Sequence, residues 1–321
     1  MKISEACKNC YAEMSPPVRT ARKNGLELWG PAKTTERRRT SVKNWNLPLK
    51  WNKEAEASGV RARVFSASLS DVFEEHPMLD PWRKDLWELI EKTPWLDWLL
   101  LTKRPENILK MIPTEWIANP RPNVWFGCTV ESQKSADERL PHLVQVPGVV
   151  HFVSMEPLLE AVNLEPYLYG PTLCKDCGST HSHYNTNPSD LPIMKKADGT
   201  DVTCLLGEPM TGEPGAVQCS KCNSLNVTEL PTVSWVILGG ESGPEPRVFD
   251  LTWARDLMRQ CKAAEVPVFM KQLGAVCHDS PGVPWVCTMD PTHGGEMEEW
   301  PEDIRVREFP VGSPLPIKGC A

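Results

Sequence analysis

The chain has 321 residues, 40% hydrophobic and 24% charged, with 35 basic against 42 acidic side chains and a net charge of −7. It is long enough to bury a sizeable core, too apolar to be disordered, and too acidic overall to coat nucleic acid by bulk charge. No apolar run approaches the roughly 20 residues of a membrane span and no leader-like segment opens the sequence, so a cytoplasmic protein with no membrane contact is expected.

Near the N-terminus, Cys7 and Cys10 form a CxxC pair within MKISEACKNCYAE. That spacing alone is open to zinc, thioredoxin-like redox and iron–sulfur chemistry; no strand precedes it, which argues against the thioredoxin-like arrangement. The basic run 33–43 reads as a solvated face. From residue 60 the chain repeats one unit: a short apolar run, a polar loop, a helical stretch. The runs 64–67, 98–101, 124–127, 150–154, 235–238 and 266–270 are nearly all apolar, as in parallel strands buried on both faces. Helices are predicted over 81–92, with Asp80 as N-cap and Pro81 at the first position, and over 105–111, 133–145 and 252–264. Trp82, Trp87, Trp95 and Trp98 fall in or beside these elements and read as core packing. The alternation predicts an α/β fold, a partial (β/α)6 TIM-like barrel.

Polar residues gather just after the runs. Ser66, Ser68 and Asp71 follow the first, and Lys103 and Arg104 the second. Thr129 with Glu131, then Ser154 with Glu156, follow the third and fourth. Gly239, Gly240 and Glu241 stand in GGESG after the fifth, and Lys271 ends the series. A β/α barrel builds its site from the loops at the carboxyl ends of its strands, and loop polarity alone explains one or two such cases better than six.

Residues 165–231 break the pattern and read as an insertion. It contains LCKDCGS and QCSKCNS, whose cysteines Cys174, Cys177, Cys219 and Cys222 suit a tetrahedral Zn²⁺ site of zinc-ribbon-like type, with His181, His183 and Cys204 as lower-ranked substitutes. Such a site would supply folding energy to a segment without its own core, and a surface for a protein or nucleic-acid partner. The chain then divides into residues 1–164 and 232–275 for the barrel, 165–231 for the insertion, and a C-terminal extension over 276–321.

The blocks CKNCYAE, SDVF, LLTKRPENI, NVWFGCTVES, FVSMEPLL, WVILGGESG and VFMKQLG, in this order, resemble the phage Gp37/Gp68-type family, DUF5131, which is itself similar to the radical S-adenosylmethionine superfamily. The resemblance implies a barrel of radical S-adenosylmethionine type and a phage-encoded protein working in a bacterial host. It also implies a [4Fe–4S] cluster bound by a C-x6-C-x2-C motif, in which Cys7 and Cys10 match the last two positions. The first would fall immediately before Met1, with a strand ahead of it, so an upstream start is expected. A degenerate non-catalytic relative and a thiolate supplied by a partner are the competing accounts. The implied chemistry is reductive cleavage of S-adenosylmethionine followed by hydrogen abstraction, with flavodoxin or ferredoxin as electron donor and a nucleobase, nucleotide or nucleic acid as substrate. Ligand-contacting roles then fall to Tyr11, Ser66, Ser68, Asp71, Thr129, Glu131, Ser154, Glu156, Gly239 and Gly240. Catalytic roles fall to Lys103, Glu241 and Lys271.

Two other classes stay open. One is a zinc-dependent binding or adaptor protein on a relic barrel. The other is a cluster-free barrel enzyme using Lys103, Glu131, Glu156 and Lys271 for acid–base chemistry.

Overall fold

The computed structural model describes residues 3–31, 35–170, 232–243, 245–280, 283–285 and 287–310, with short pieces between 172 and 229. All six expected strands form: β1 (Ala62–Ser66), β2 (Leu96–Thr102), β3 (Val124–Thr129), β4 (Val150–Met155), β5 (Trp235–Gly239) and β6 (Val268–Gln272). They pair in chain order, every pair parallel, and curl into a half-barrel. The last strand begins at Val268 rather than 266. Val266 instead terminates the preceding helical turn, donating its N–H to Cys261 O.

Because side chains alternate across a strand, the apolar runs of β2 to β6 each feed two cores, whereas the edge strand β1 leaves Phe65 exposed. Trp98, Leu100, Phe126, Val153, Val236 and Leu238 face the helical layer. Leu99, Trp125, Phe152, Trp235 and Ile237 fill the concave side. Trp235 is the hub of this inner core, with the rings of Trp125 and Phe152 each 5.9 Å away, Phe309 at 5.6 Å and Phe269 at 6.2 Å. Gly127 leaves the room that Phe152 occupies; a Cβ there would lie 2.4 Å from the ring.

The helices are α1 (Pro16–Lys23), α2 (Leu47–Ser58), α3 (Leu79–Glu91), α4 (Gln133–Leu143) and α5 (Leu251–Ala263), with shorter turns between them. Helix α3 starts two residues before the predicted position. Asp80 lies inside its first turn and pairs with Arg83 at 2.7 Å instead of capping. Arg83 also donates to Val72 O and Glu74 O, which fastens the loop after β1 to the helix. Helix α4 starts with a capping box between Ser132 and Ser135. Of the tryptophans, Trp87 and Trp98 are buried, whereas Trp82 and Trp95 are half-exposed.

The expected solvated run 33–43 needs correction at Arg37. Its guanidinium forks onto both oxygens of Glu74 at 2.8 Å, and the pair is largely buried. The C-terminal extension also has a definite place. Residues 304–309 run alongside β6, with Met270 N donating to Val306 O and Glu308 N to Val268 O. They carry Phe309 to the inner core, where Arg63 of β1 stacks on its ring at 3.7 Å. The extension thus covers the β6 edge and meets the opposite edge strand. Phe309→Ala is expected to destabilise the protein by about 2 kcal/mol, less than a fully buried Phe because the ring is only half-buried; a urea titration checks this.

Of the four insertion cysteines, two fall outside the described residues. Cys177 and Cys219 lie outside them, Cys174 ends the short strand Thr172–Cys174, and Cys222 stands in an exposed turn.

Candidate active site

Above the inner core, at the carboxyl ends of the strands, a cleft of about 620 Å³ opens. Ser68, Asp71, Lys103, Thr129, Ser154, Glu156, Gly240, Glu241 and Lys271 all line it, as do Cys7, Cys10 and Tyr11. Ser66, Glu131 and Gly239 are not among the lining residues. Glu131 is buried beside the cleft and paired with Arg139 at 2.7 Å.

Asp71 organises the β1–β2 side. Its Oδ1 accepts from Thr102 Oγ1 at 2.7 Å and Phe73 N at 3.0 Å, and its Oδ2 accepts from Arg104 Nη1 at 2.8 Å and Lys103 N at 3.2 Å. With four donors satisfied, this carboxylate builds the wall and has little capacity left for a ligand. Arg104 is neutralised by the same contact. Lys103 Nζ donates to Thr129 Oγ1 at 3.1 Å and, among the described residues, has no carboxylate within ion-pair distance. It is therefore the cation through which the cleft can meet an anionic group.

On the β4–β6 side Lys271 Nζ lies 3.0 Å from Glu156 Oε1, and Ser154 Oγ donates to Glu156 Oε2 at 3.2 Å. The Glu156 charge, opposed by burial and helped by Tyr11, holds the Lys271 ammonium above its usual pKa. Glu156 Oε1 is itself buried, and Lys271 Nζ is the cation in contact with it.

GGESG serves packing before binding. Gly240 N donates to Gln272 O and Gly239 O accepts from Leu158 N, so these groups are spent on the fold. Glu241 is expected as an acid or base, yet its carboxylate is forked by Arg247 at 2.7 and 2.9 Å. Burial pushes its pKa up, but Arg247 and Asn9 outweigh that and hold it below the ordinary range.

Cys7 ends a 3-10 turn (Glu5–Cys7) and Cys10 precedes another (Tyr11–Met14). Burial raises the Cys7 pKa, but hydrogen bonding with the Ile3 and Ser4 backbone and the Lys103 charge bring it below the usual thiol value. Burial dominates at Cys10, whose pKa rises, with the Cys7 charge adding to it. Among the described residues no group of three or more His, Cys, Asp and Glu is arranged to hold a metal.

The family model described as "Protein of unknown function (DUF5131)" matches residues 1–306. The chain belongs to the DUF5131 family. No curated protein and no solved structure matches it. The DUF5131 match spans all six strands and every residue that lines the cleft. No described helix is long and apolar enough to cross a membrane.

Reading the sequence misses several lining residues of this DUF5131 cleft: Asn9, Trp29, Arg37, Glu74 and His293. Glu74 follows Asp71 by three positions in the same loop, so proximity to a named residue was the available signal. Arg37 and His293 carry none, because their segments show no strand–loop pattern.

Proposed function

We propose that this chain is a radical S-adenosylmethionine-like enzyme whose Cys7 and Cys10 contribute two thiolates to a [4Fe–4S] cluster at the cleft. The observation that carries this reading is that both cysteines of CKNCYAE line the same cleft at the carboxyl ends of a parallel half-barrel, with the Lys103 charge acting on each. The donor chemistry suits iron, since two cysteine sulfurs at C-x2-C spacing ligate iron–sulfur clusters as thiolates; Lys103 favours the thiolate at both, although burial keeps Cys10 above the usual thiol value. The third thiolate must come from outside the described residues. When bound, the cluster supplies the electron that cleaves S-adenosylmethionine reductively.

The chain's own residues would then divide the remaining work. Lys103 is suited to hold a carboxylate, and Glu156 with Ser154 to hold hydroxyl or amine donors. Lys271, 3.0 Å from Oε1, would orient the Glu156 carboxylate. The aromatic inner core beneath the cleft keeps water from that side. A nucleobase, nucleotide or nucleic acid is the proposed substrate class, flavodoxin or ferredoxin the proposed electron donor, and a zinc site at Cys174, Cys177, Cys219 and Cys222 the proposed anchor of the insertion.

The test is anaerobic reconstitution with iron and sulfide. Two forms are compared: the chain as it stands, and one extended by a cysteine immediately before Met1. The extended form is expected to take up about four irons and, with reductant, to release 5'-deoxyadenosine. Cys7→Ala and Cys10→Ala should each abolish both signals. If neither form binds iron or releases the nucleoside, the proposal is lost. That outcome would favour the cluster-free acid–base enzyme expected from Lys103, Glu131, Glu156 and Lys271, of which Glu131 is paired with Arg139 and lies outside the cleft lining.

A further inference from the structure

The segment that carries the two cysteines reaches from one rim of the half-barrel to the other. On the β1 side, Tyr11 Oη donates to Ser68 O at 2.8 Å. On the β5 side, Asn9 Nδ2 donates to Glu245 O at 2.7 Å and reaches Glu241 Oε2 at 3.4 Å. Arg247 Nη1 donates to Glu5 O at 2.9 Å. Glu241 joins these contacts, its Oε2 accepting from Arg247 N and Nε, both at 2.9 Å, and its Oε1 from Nη2 at 2.7 Å.

The other end of this chain of contacts is fixed in the barrel. Glu241 O accepts from Ala275 N at 3.0 Å. Gly274, at φ +79°, passes so near that a Cβ would lie 2.7 Å from the same oxygen. The cysteine segment has little to hold it by itself. Its regular structure is two 3-10 turns, and its buried apolar residues are Ala6, Cys7 and Ala12. Polar contact with a rigid anchor must therefore set where it sits.

We propose that Glu241 and Arg247 form a clamp that positions the cysteine segment over the cleft, with Asn9 as the segment's own arm of the clamp. What the segment is positioned for rests on the function proposed above; that it is clamped does not. The clamp depends on a planar fork meeting a carboxylate along two directions while a third N–H holds the segment backbone. Lysine cannot reproduce that geometry, so Arg247→Lys is not conservative here.

The experiment uses the whole chain without added metal. Iodoacetamide alkylation of Cys7 and Cys10 and tryptic cleavage after Lys8 are followed by mass spectrometry, with buried Cys128 as internal reference. In Arg247→Met and Glu241→Gln, both rates are expected to rise about tenfold or more through easier local opening, with Arg247→Lys intermediate and Cys128 still protected. Asn9→Ala should accelerate both without moving the melting temperature. It decides the matter if labelling of Cys128 shows that either clamp variant has unfolded. Unchanged rates in Asn9→Ala together with Arg247→Lys would overturn the clamp. These rates are read whether or not the chain binds iron, so a failed reconstitution and a failed clamp are told apart.

Discussion

Glu131→Ala is expected to destabilise the protein by about 3–5 kcal/mol, because it strands a buried guanidinium. The side chains of Glu131 and Arg139 are 2% and 9% exposed, and the same Arg139 Nη1 also donates to Thr129 O at 2.7 Å. The pair therefore ties helix α4 to the end of β3, one step from the Thr129 hydroxyl that Lys103 holds. Removing both charges in Glu131→Leu with Arg139→Met should recover much of the loss, since apolar replacements refill the space without an orphan charge. Urea unfolding of the single and double variants measures this directly.

The same pair shapes the dependence on pH. Burial pushes the Glu131 pKa up, but Arg139, Ser4 and Lys103 together bring it below the usual value. A carboxylate depressed in the folded state stabilises fully above its unfolded pKa, about 4.3, and loses that contribution as pH falls through the folded value. Glu74 and Glu241 shift in the same direction, with Arg37 and Arg247 overcoming burial at each. His151 adds an earlier step. Its ring is buried against Val146 O at 2.7 Å, and burial pushes its pKa down to about 4. Its contribution, on the order of 3 kcal/mol, is complete above about pH 6.5 and disappears as pH falls toward the folded value. Melting temperature should therefore decline in two stages on acidification. His151→Leu should flatten the first stage and leave the second.

Gly240→Ala is expected to cost about 3 kcal/mol, near the upper end for overpacking. A Cβ at this position would meet Leu273 O at 2.1 Å and Leu273 C at 2.7 Å, which are backbone atoms that cannot turn aside. The crossing is locked from both sides, since Gly240 N donates to Gln272 O and Gln272 Nε2 donates to Gly240 O, each at 3.1 Å. Forcing it open moves Gln272 and Glu241, which both line the cleft. Gly239→Ala should be milder. There the nearest atom is the Glu156 carboxylate at 3.0 Å, the end of a side chain that can rotate. Thermal melts of the two variants should differ by several degrees in that order.

The strands were legible because a parallel strand buried on both faces has to be apolar throughout, and runs such as WLLL and VILG have few other readings. What that uniformity hides is which face each residue takes. Nothing in Trp235 and Val236 says that one enters the aromatic core and the other meets the helices. The rim was legible as a set of residues but not as a set of roles. Asp71, Glu131 and Glu241 look alike in sequence, and each is consumed by an arginine or by backbone donors that fold topology supplies. The contact of Asn9 with Glu241 bridges 232 positions, and the fork of Arg37 on Glu74 joins a basic run to a loop beyond the first strand. Periodicity reports on burial within one element and carries no information about such partners.

Strand order that follows chain order also has a kinetic meaning. Strands β1 to β4 can pair one after another as they emerge, each closing a loop of modest length onto its predecessor. The step to β5 is different. Ser234 must reach His151 across 83 positions, with the insertion in between, before Trp235 can enter between Trp125 and Phe152. Loop-closure entropy grows only slowly with length, but long-range pairing delays the contacts that repay it. The four-stranded half should therefore form early with its concave apolar face still open to water. Any compaction of the chain between β4 and β5 would shorten that exposure.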